Sequence, residues 1–218
     1  MPSVISHAAV AVAAGISFVP RGVPHHFWSA AIVCSVISDA DVIAFSFGIP
    51  YGHFFGHRGF FHSPFFGLLM SIFCVILFFR DATIFSKQWF FYLIFFFLLS
   101  ASHGILDAFT SGGLGIALLS PFDNRRYFFP WTPIMVSPIG IRGMFTKWGL
   151  MVIKSELLWI WMPSFFVAFV SMVVRFLAAR NYSTVKNEIF FPFWSKKLKN
   201  SAWNIWAWPC INYFHRAV

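Results

Sequence analysis

Charge is what this sequence has least of. Of 218 residues only 11% are Asp, Glu, Lys or Arg, and the acids number seven. Too few charges are present to solvate a water-soluble domain of this size. With 59% hydrophobic residues, 22% aromatics and a mean hydropathy of +0.73, the composition is that of an integral membrane protein. No Lys or Arg precedes Arg21, so the basic leader of a secretory signal peptide is missing, and the first apolar run is expected to be a retained span. Cysteine is scarce as well. Cys34, Cys74 and Cys210 are odd in number and far apart, which argues against a disulfide framework or a thiolate-ligated metal. Neither an internal repeat nor a Gly/Ser linker divides the chain.

What is present are apolar runs. Five stand out, Val4 to Val19, Phe27 to Phe47, Pro64 to Phe79, Trp89 to Phe109 and Trp148 to Val174, against the roughly 17 to 25 residues that a spanning helix needs. The first and third are short. These runs predict an all-α polytopic transmembrane bundle of about five spans. A membrane-embedded region over residues 1–174 is followed by a basic, aromatic interfacial tail over 175–218. The longest connection, Thr110 to Lys147, is rich in Gly and Pro and is expected to be an irregular loop folded back on the bundle, because irregular backbone is not tolerated against lipid.

The net charge of +9 is unevenly placed. In a five-span arrangement, Arg21, Arg80, Lys87, Arg175, Arg180, Lys186, Lys196, Lys197, Lys199 and Arg216 share one side. Arg58, Arg125, Arg126, Arg142 and Lys147 lie on the other. The positive-inside rule then makes the tail cytoplasmic. Its cations alternate with Trp194, Trp203, Trp206, Trp208 and Tyr213, a pattern suited to an anionic membrane surface and not to nucleic acid.

Against this background the polar residues inside or beside the apolar runs stand out. Asp39, Asp41 and Asp107 are three of the seven acids, and an ionised carboxylate in a membrane is costly without a partner. His7 opens the first span, Asp39 and Asp41 lie late in the second, His57 and His62 occupy the next loop, and His103 and Asp107 close the fourth. All seven fall toward one face of the bilayer, opposite the tail. His103 and Asp107, four residues apart, share a helical face and can reach one cation. Asp39 and Asp41 diverge on a regular helix and converge only where it ends or unwinds. That leaves open whether both ligate or one orients a histidine. Buried acids bonded to Ser35 or Ser38 are the simpler alternative for each aspartate alone. As a set, three carboxylates and four imidazoles at one depth need each other or a cation. Mixed His and Asp donors without thiolate suit Zn²⁺, with Mn²⁺ or Fe²⁺ as further options. His25, His26, His53 and His215 are expected to be interfacial.

The motifs "SDAD", "HRGFFHS" and "HGILDAFTSGGLGIALLSPF" followed by "RRY", preceded by an early "SH", resemble a bacterial family of inner-membrane, metal-dependent hydrolases often labelled LexA-binding or LexA-regulated. The resemblance covers roughly residues 3 to 145. It implies a membrane-bound metal hydrolase, phospholipase activity among the options, with His7, Asp39, Asp41, His57, His62, His103 and Asp107 at the metal. Thr110 and Arg58 match as supporting residues. Ser38 departs from the proline common in the family.

Together these readings predict a divalent metal near the extracytoplasmic interface of the inner membrane, with Asp39 or Asp41 as general base. Arg58, Arg125 and Arg126 are candidates to grip a lipid phosphate. Membrane lipids are the expected partners. A cation or proton transporter and a non-catalytic metal-stabilised protein are the alternatives.

Overall fold

The computed structural model describes residues 1–20 and 22–188, and among these no β-strand occurs. Helix α1 (Val4–Phe18) is followed by α2 (His26–Val36), which tightens into an unbroken 3-10 helix over Ile37–Phe47. Next come α3 (Pro64–Phe78) and α4 (Lys87–Ala108). A short α5 (Ile141–Met144) precedes α6 (Lys147–Glu156), a π-helical turn at Leu157–Trp161, and α7 (Met162–Glu188). Three of these helical stretches are long and apolar enough to cross a membrane: His26–Phe47, Lys87–Ala108 and Lys147–Ala179. Helices α1 and α3 are apolar too but only 15 residues each, about 22 Å at 1.5 Å per residue, against a hydrocarbon core of roughly 30 Å. The protein is an all-α membrane bundle.

The helix starts have local causes. Ser63 and Ser86 accept hydrogen bonds from the backbone N–H of Phe66 and Trp89, capping α3 and α4, and Pro64 occupies the first turn of α3, where its missing N–H costs nothing. Thr146 does the same for α6 through Gly149. Helices α1, α2, α3 and α4 pack as neighbours in the order α1 on α2, α2 on α4 and α4 on α3, with α7 along α1. Glycine sets one close approach: a Cβ on Gly15 would lie 2.4 Å from the ring of Trp28.

The helices' other ends meet in an aromatic core. Phe27, fully buried, lies 5.1 to 6.1 Å from the rings of Trp28, Phe79, Tyr92, Phe95 and Phe96. Cys34 and Cys74 are buried beside it as free thiols. At this same end Arg175 donates to the carbonyls of Ser17 and Val19, closing the C-terminus of α1. Helix α7 continues through position 175 as far as Glu188, and the remainder of the expected tail lies outside the described residues.

Candidate metal centre

Five segments converge at the opposite end of the bundle. Helices α1 and α3 begin there, α4 ends there, α2 passes into the 3-10 helix there, and the loop between the 3-10 helix and α3 lies among them. The 3-10 geometry matters. On an α-helix, residues two apart point about 160° from each other, whereas at three residues per turn the angle narrows to about 120°. Ser38, Asp39 and Asp41 are accordingly the buried residues of this element. Gly104 admits the loop: a Cβ there would sit 2.3 Å from the carbonyl oxygen of His62, so only glycine lets the loop lie against α4.

All seven residues expected from the sequence are brought together, and every one is buried. His7 stacks on His103 with ring centroids 3.7 Å apart, and His62 meets His103 edge-on at 4.8 Å. His103 Nδ1 lies 2.7 Å from the carbonyl of Ser35, which can only accept, so Nδ1 carries a proton and Nε2 faces inward, 3.2 Å from Asp39 Oδ1. Ser35 also donates to the carbonyl of His7 at 2.5 Å, locking α1 to α2 beside the site.

Four nitrogen-to-oxygen gaps define the centre. His7 Nε2 is 3.4 Å from Asp107 Oδ1, His62 Nε2 is 3.4 Å from Asp107 Oδ2 and 3.5 Å from Asp39 Oδ1, and His103 Nε2 is 3.2 Å from Asp39 Oδ1. Most are poorly directed as hydrogen bonds: His7 Nε2, His62 Nε2, Asp39 Oδ2 and both oxygens of Asp107 are buried without a hydrogen-bond partner. Such orphaned atoms are expensive unless a cation joins them. Two donors each about 2.1 Å from one ion, at angles of roughly 90° to 109°, lie about 3.0 to 3.4 Å apart, close to the spacing seen. Charge agrees. Asp39, Asp41 and Asp107 carry three negative charges, and the nearest guanidinium, Arg58, has Nε 3.6 Å from Asp107 Oδ2. With neutral imidazoles, the two charges left over match one divalent ion. Without it a proton must serve. Burial opposes charging His62, yet Asp107, Asp39 and Asp41 outweigh it and raise that imidazole well above its ordinary value.

The two aspartates have different tasks. Asp39, His62, His103 and Asp107 can offer atoms to one ion, and His62 also belongs to a second group with Asp41 and His57. Asp41 is occupied: its oxygens lie 2.6 Å from His57 Nδ1 and 3.0 Å from His62 Nδ1 and accept the backbone N–H of Arg58 at 3.1 Å. It bonds His57 and faces the unpartnered Nδ1 of His62, while Asp39 keeps an unpartnered oxygen.

The arginines expected to meet phosphate are placed otherwise. Arg58 is turned inward and 1% exposed, donating to Thr110 Oγ1 at 2.9 Å and the Gly112 carbonyl at 2.6 Å. Its backbone is left-handed, φ 64°, a conformation that these contacts hold in place. Thr110 donates its hydroxyl hydrogen bond to the backbone carbonyl of Asp107 at 2.7 Å. Arg126 is half-buried and spans the carbonyls of His57, Tyr51 and His53, so it ties the histidine loop down. Only Arg125 is open, 79% exposed and paired with Asp123 at 2.7 Å. That guanidinium holds the exposed Asp123 carboxyl down at about 2. Phe60 and Phe61 pack on Phe54 and Phe66, fixing the loop on the start of α3.

One residue escaped the sequence reading. Glu156, buried at the end of α6, accepts hydrogen bonds from Ser3 Oγ at 2.6 Å, Ser6 Oγ at 2.7 Å and the backbone N–H of Ser3, and Trp161 Nε1 donates to Ser6 at 2.7 Å. It anchors the start of α1, next to His7. Its signal was available: Glu156 is one of seven acids and sits in an apolar run.

No solved structure matches this chain. It is 39% identical over 166 residues to the inner membrane protein YbcI of Escherichia coli (strain K12), an alignment covering 75% of this chain and 92% of that protein. Residues 1–182 match the family described as YdjM inner membrane protein. Membrane bundle, apolar helices and both likenesses agree, and the chain belongs to the YdjM family of inner membrane proteins.

Proposed function

We propose that this protein is a metal-dependent hydrolase of the inner membrane, acting on phosphate esters of membrane lipids near the extracytoplasmic interface. The observation that carries the reading is the set of orphaned, buried His and Asp atoms spaced as donors to one divalent ion. His7, Asp39, His62, His103 and Asp107 would hold the ion, and Zn²⁺ suits this donor set best, ahead of Mn²⁺ or Fe²⁺. A divalent ion supplies Lewis acidity for polarising a phosphoryl oxygen or acidifying water. The chain supplies the proton handling. With Nδ1–H donated to Asp41, the Nε2 of His57 carries the lone pair and accepts a proton, while Asp41 stabilises the charged ring. Arg125 is the cation free to exchange its Asp123 partner for a phosphate.

The proposed topology puts the metal centre outside and the region after 175 on the cytoplasmic side. Residues 1–174 would carry the chemistry and 175–218 the surface attachment. A reporter fused after Val218 tests this, and an outward signal would refute it. Transport fits less well, because a path needs polar groups through the membrane's depth and the end opposite the cluster is packed with Phe27, Phe79, Tyr92 and Phe96.

The functional test is metal analysis of the purified protein followed by assays of lipid phosphate esters, soluble phosphodiesters and acyl esters, with and without chelator. The expected result is chelator-sensitive release from a lipid phosphate ester. Chelator-sensitive turnover of acyl esters alone would overturn the substrate class and leave the metal hydrolase standing. Bound metal without any turnover would favour a metal-stabilised, non-catalytic protein.

A further inference from the structure

An apolar groove of about 440 Å³ lies beside the metal centre, lined by the 3-10 helix on one side and by Ile49, Phe55, Phe61 and Phe66 on the other. The helix supplies two rows. Because residues three apart eclipse in 3-10 geometry, Ile37, Ala40 and Ile43 form one row and Asp41, Ala44 and Phe47 the next. All six line the groove. The long 3-10 run thus does two things at once: it turns Asp39 and Asp41 toward the histidines and opens a channel floored by alanines between larger apolar side chains. Runs beyond three or four residues are uncommon, and this one covers 11.

Asp41 is the groove's one charged lining residue, and it is the carboxylate that holds His57 and His62. From there the groove runs along the second half of His26–Phe47, a stretch apolar and long enough to cross the membrane. Its outer lip is open, with Ile43 57% and Phe47 78% exposed. In a bilayer, an apolar slot that is open along a spanning helix and touches the polar centre through Asp41 meets acyl chains first. A soluble ligand would have to strip water from an almost wholly apolar wall and gain no hydrogen bond in return.

We infer that this groove binds one acyl chain of a membrane phospholipid and presents its polar head to the Asp41–His57 edge of the metal centre. The inference rests on the proposed hydrolase and names its substrate as a chain-bearing amphiphile taken laterally from the bilayer. Headgroup chemistry is then handled at the polar end, while the chain stays in an environment as apolar as the one it left. Short-chain and soluble esters lack this hold and are poor ligands.

The test uses full-length protein in nanodiscs of phosphatidylethanolamine and phosphatidylglycerol containing a phosphatidylglycerol with a photoreactive acyl chain. Cross-links are mapped by mass spectrometry, and metal content is measured on the same samples. Labelling should concentrate on residues 37–61. Filling the groove with Ala44→Trp or Ala40→Trp should lower labelling there about tenfold, the effect of losing contact with roughly two methylenes. The control Val167→Trp, on the exposed face of α7, should change nothing. Two fillings from different rows guard against one variant misfolding, and unchanged metal content verifies the fold. Labelling no higher at the groove than along α7, or unaffected by both fillings, overturns the inference. If metal is bound while labelling fails, the groove is refuted and the metal reading stands. If labelling succeeds without metal, the groove stands as a lipid site and the hydrolase reading falls.

Discussion

The two ends of this bundle are held together by opposite means. Around Phe27 the contacts are ring against ring, with Phe79, Tyr92, Phe95 and Phe96 all within 6.1 Å, and no charged side chain belongs to that buried cluster. At the other end three carboxylates, four imidazoles and a guanidinium are equally buried, and several of their atoms have no hydrogen-bond partner. Packing at the aromatic end is complete within the chain. Charge balance at the polar end asks for a cation that the chain does not contain. Both ends contribute to stability, but only the polar one leaves buried atoms without partners.

The sharpest way to break this comparison is at the centre itself. His103→Ala or Asp107→Ala should abolish tight metal binding, while His25→Ala should leave the stoichiometry intact. Metal retained by both site variants would end the metal assignment. Because either change strands buried charge, a stability loss of about 3–5 kcal/mol should accompany it. Phe27→Ala should cost a comparable amount, about 3–5 kcal/mol, by opening a cavity among aromatic rings, yet leave metal content unchanged in the folded fraction. Loss of metal in that variant would show that the two ends are not independent.

Arg58→Ala should cost about 2–4 kcal/mol, since it leaves Thr110 and the Gly112 carbonyl without their donor and Asp107 without its cation. Arg58→Lys should recover only part, lacking the planar fork that meets both partners. Thermal unfolding of the two variants in detergent reads the difference. Glu156→Gln should be milder, about 1–3 kcal/mol. It should weaken metal binding through His7, because the amide cannot accept all the hydrogen bonds that the carboxylate takes from Ser3 and Ser6. Equal metal affinity in Glu156→Gln would confine that residue to stability.

The smallest effect is expected at the exposed pair. Hydrogen bonds from Arg125 hold Asp123 down to about 2, below its ordinary 3.8. A depressed carboxylate contributes stability that is present above 3.8 and lost as pH falls through about 2. Both groups lie at the surface, so Arg125→Ala should leave neutral-pH stability essentially unchanged. Its readout is the Asp123 titration, which should move up toward 3.8. An unmoved titration would show that Arg125 is not the cause.

Much of this was legible from residue order alone. The first four apolar runs located their helices to within a residue or two, because the cost of exposing backbone to lipid leaves few alternatives to a helix, whereas the last helix continues past the expected Val174 to Glu188. His7, Asp39, Asp41, His103 and Asp107 stood out because charge in an apolar run needs a reason, and His57 and His62 stood out as a loop motif just before one. Their common depth followed from alternating helix direction. What residue order could not decide was direction and partner. Arg58 points inward and Arg126 binds carbonyls of the distant histidine loop, because backbone acceptors carry no mark in the sequence. The different surroundings of Asp39 and Asp41 depend on a 3-10 helix that packs against the histidine loop. The pairing of Glu156 with Ser3 and Ser6 spans 150 residues and more, a contact that exists only once α6 lies against the start of α1. Local chemistry determined which residues needed partners; the tertiary fold, by bringing distant segments to hydrogen-bond distance, decided who those partners are.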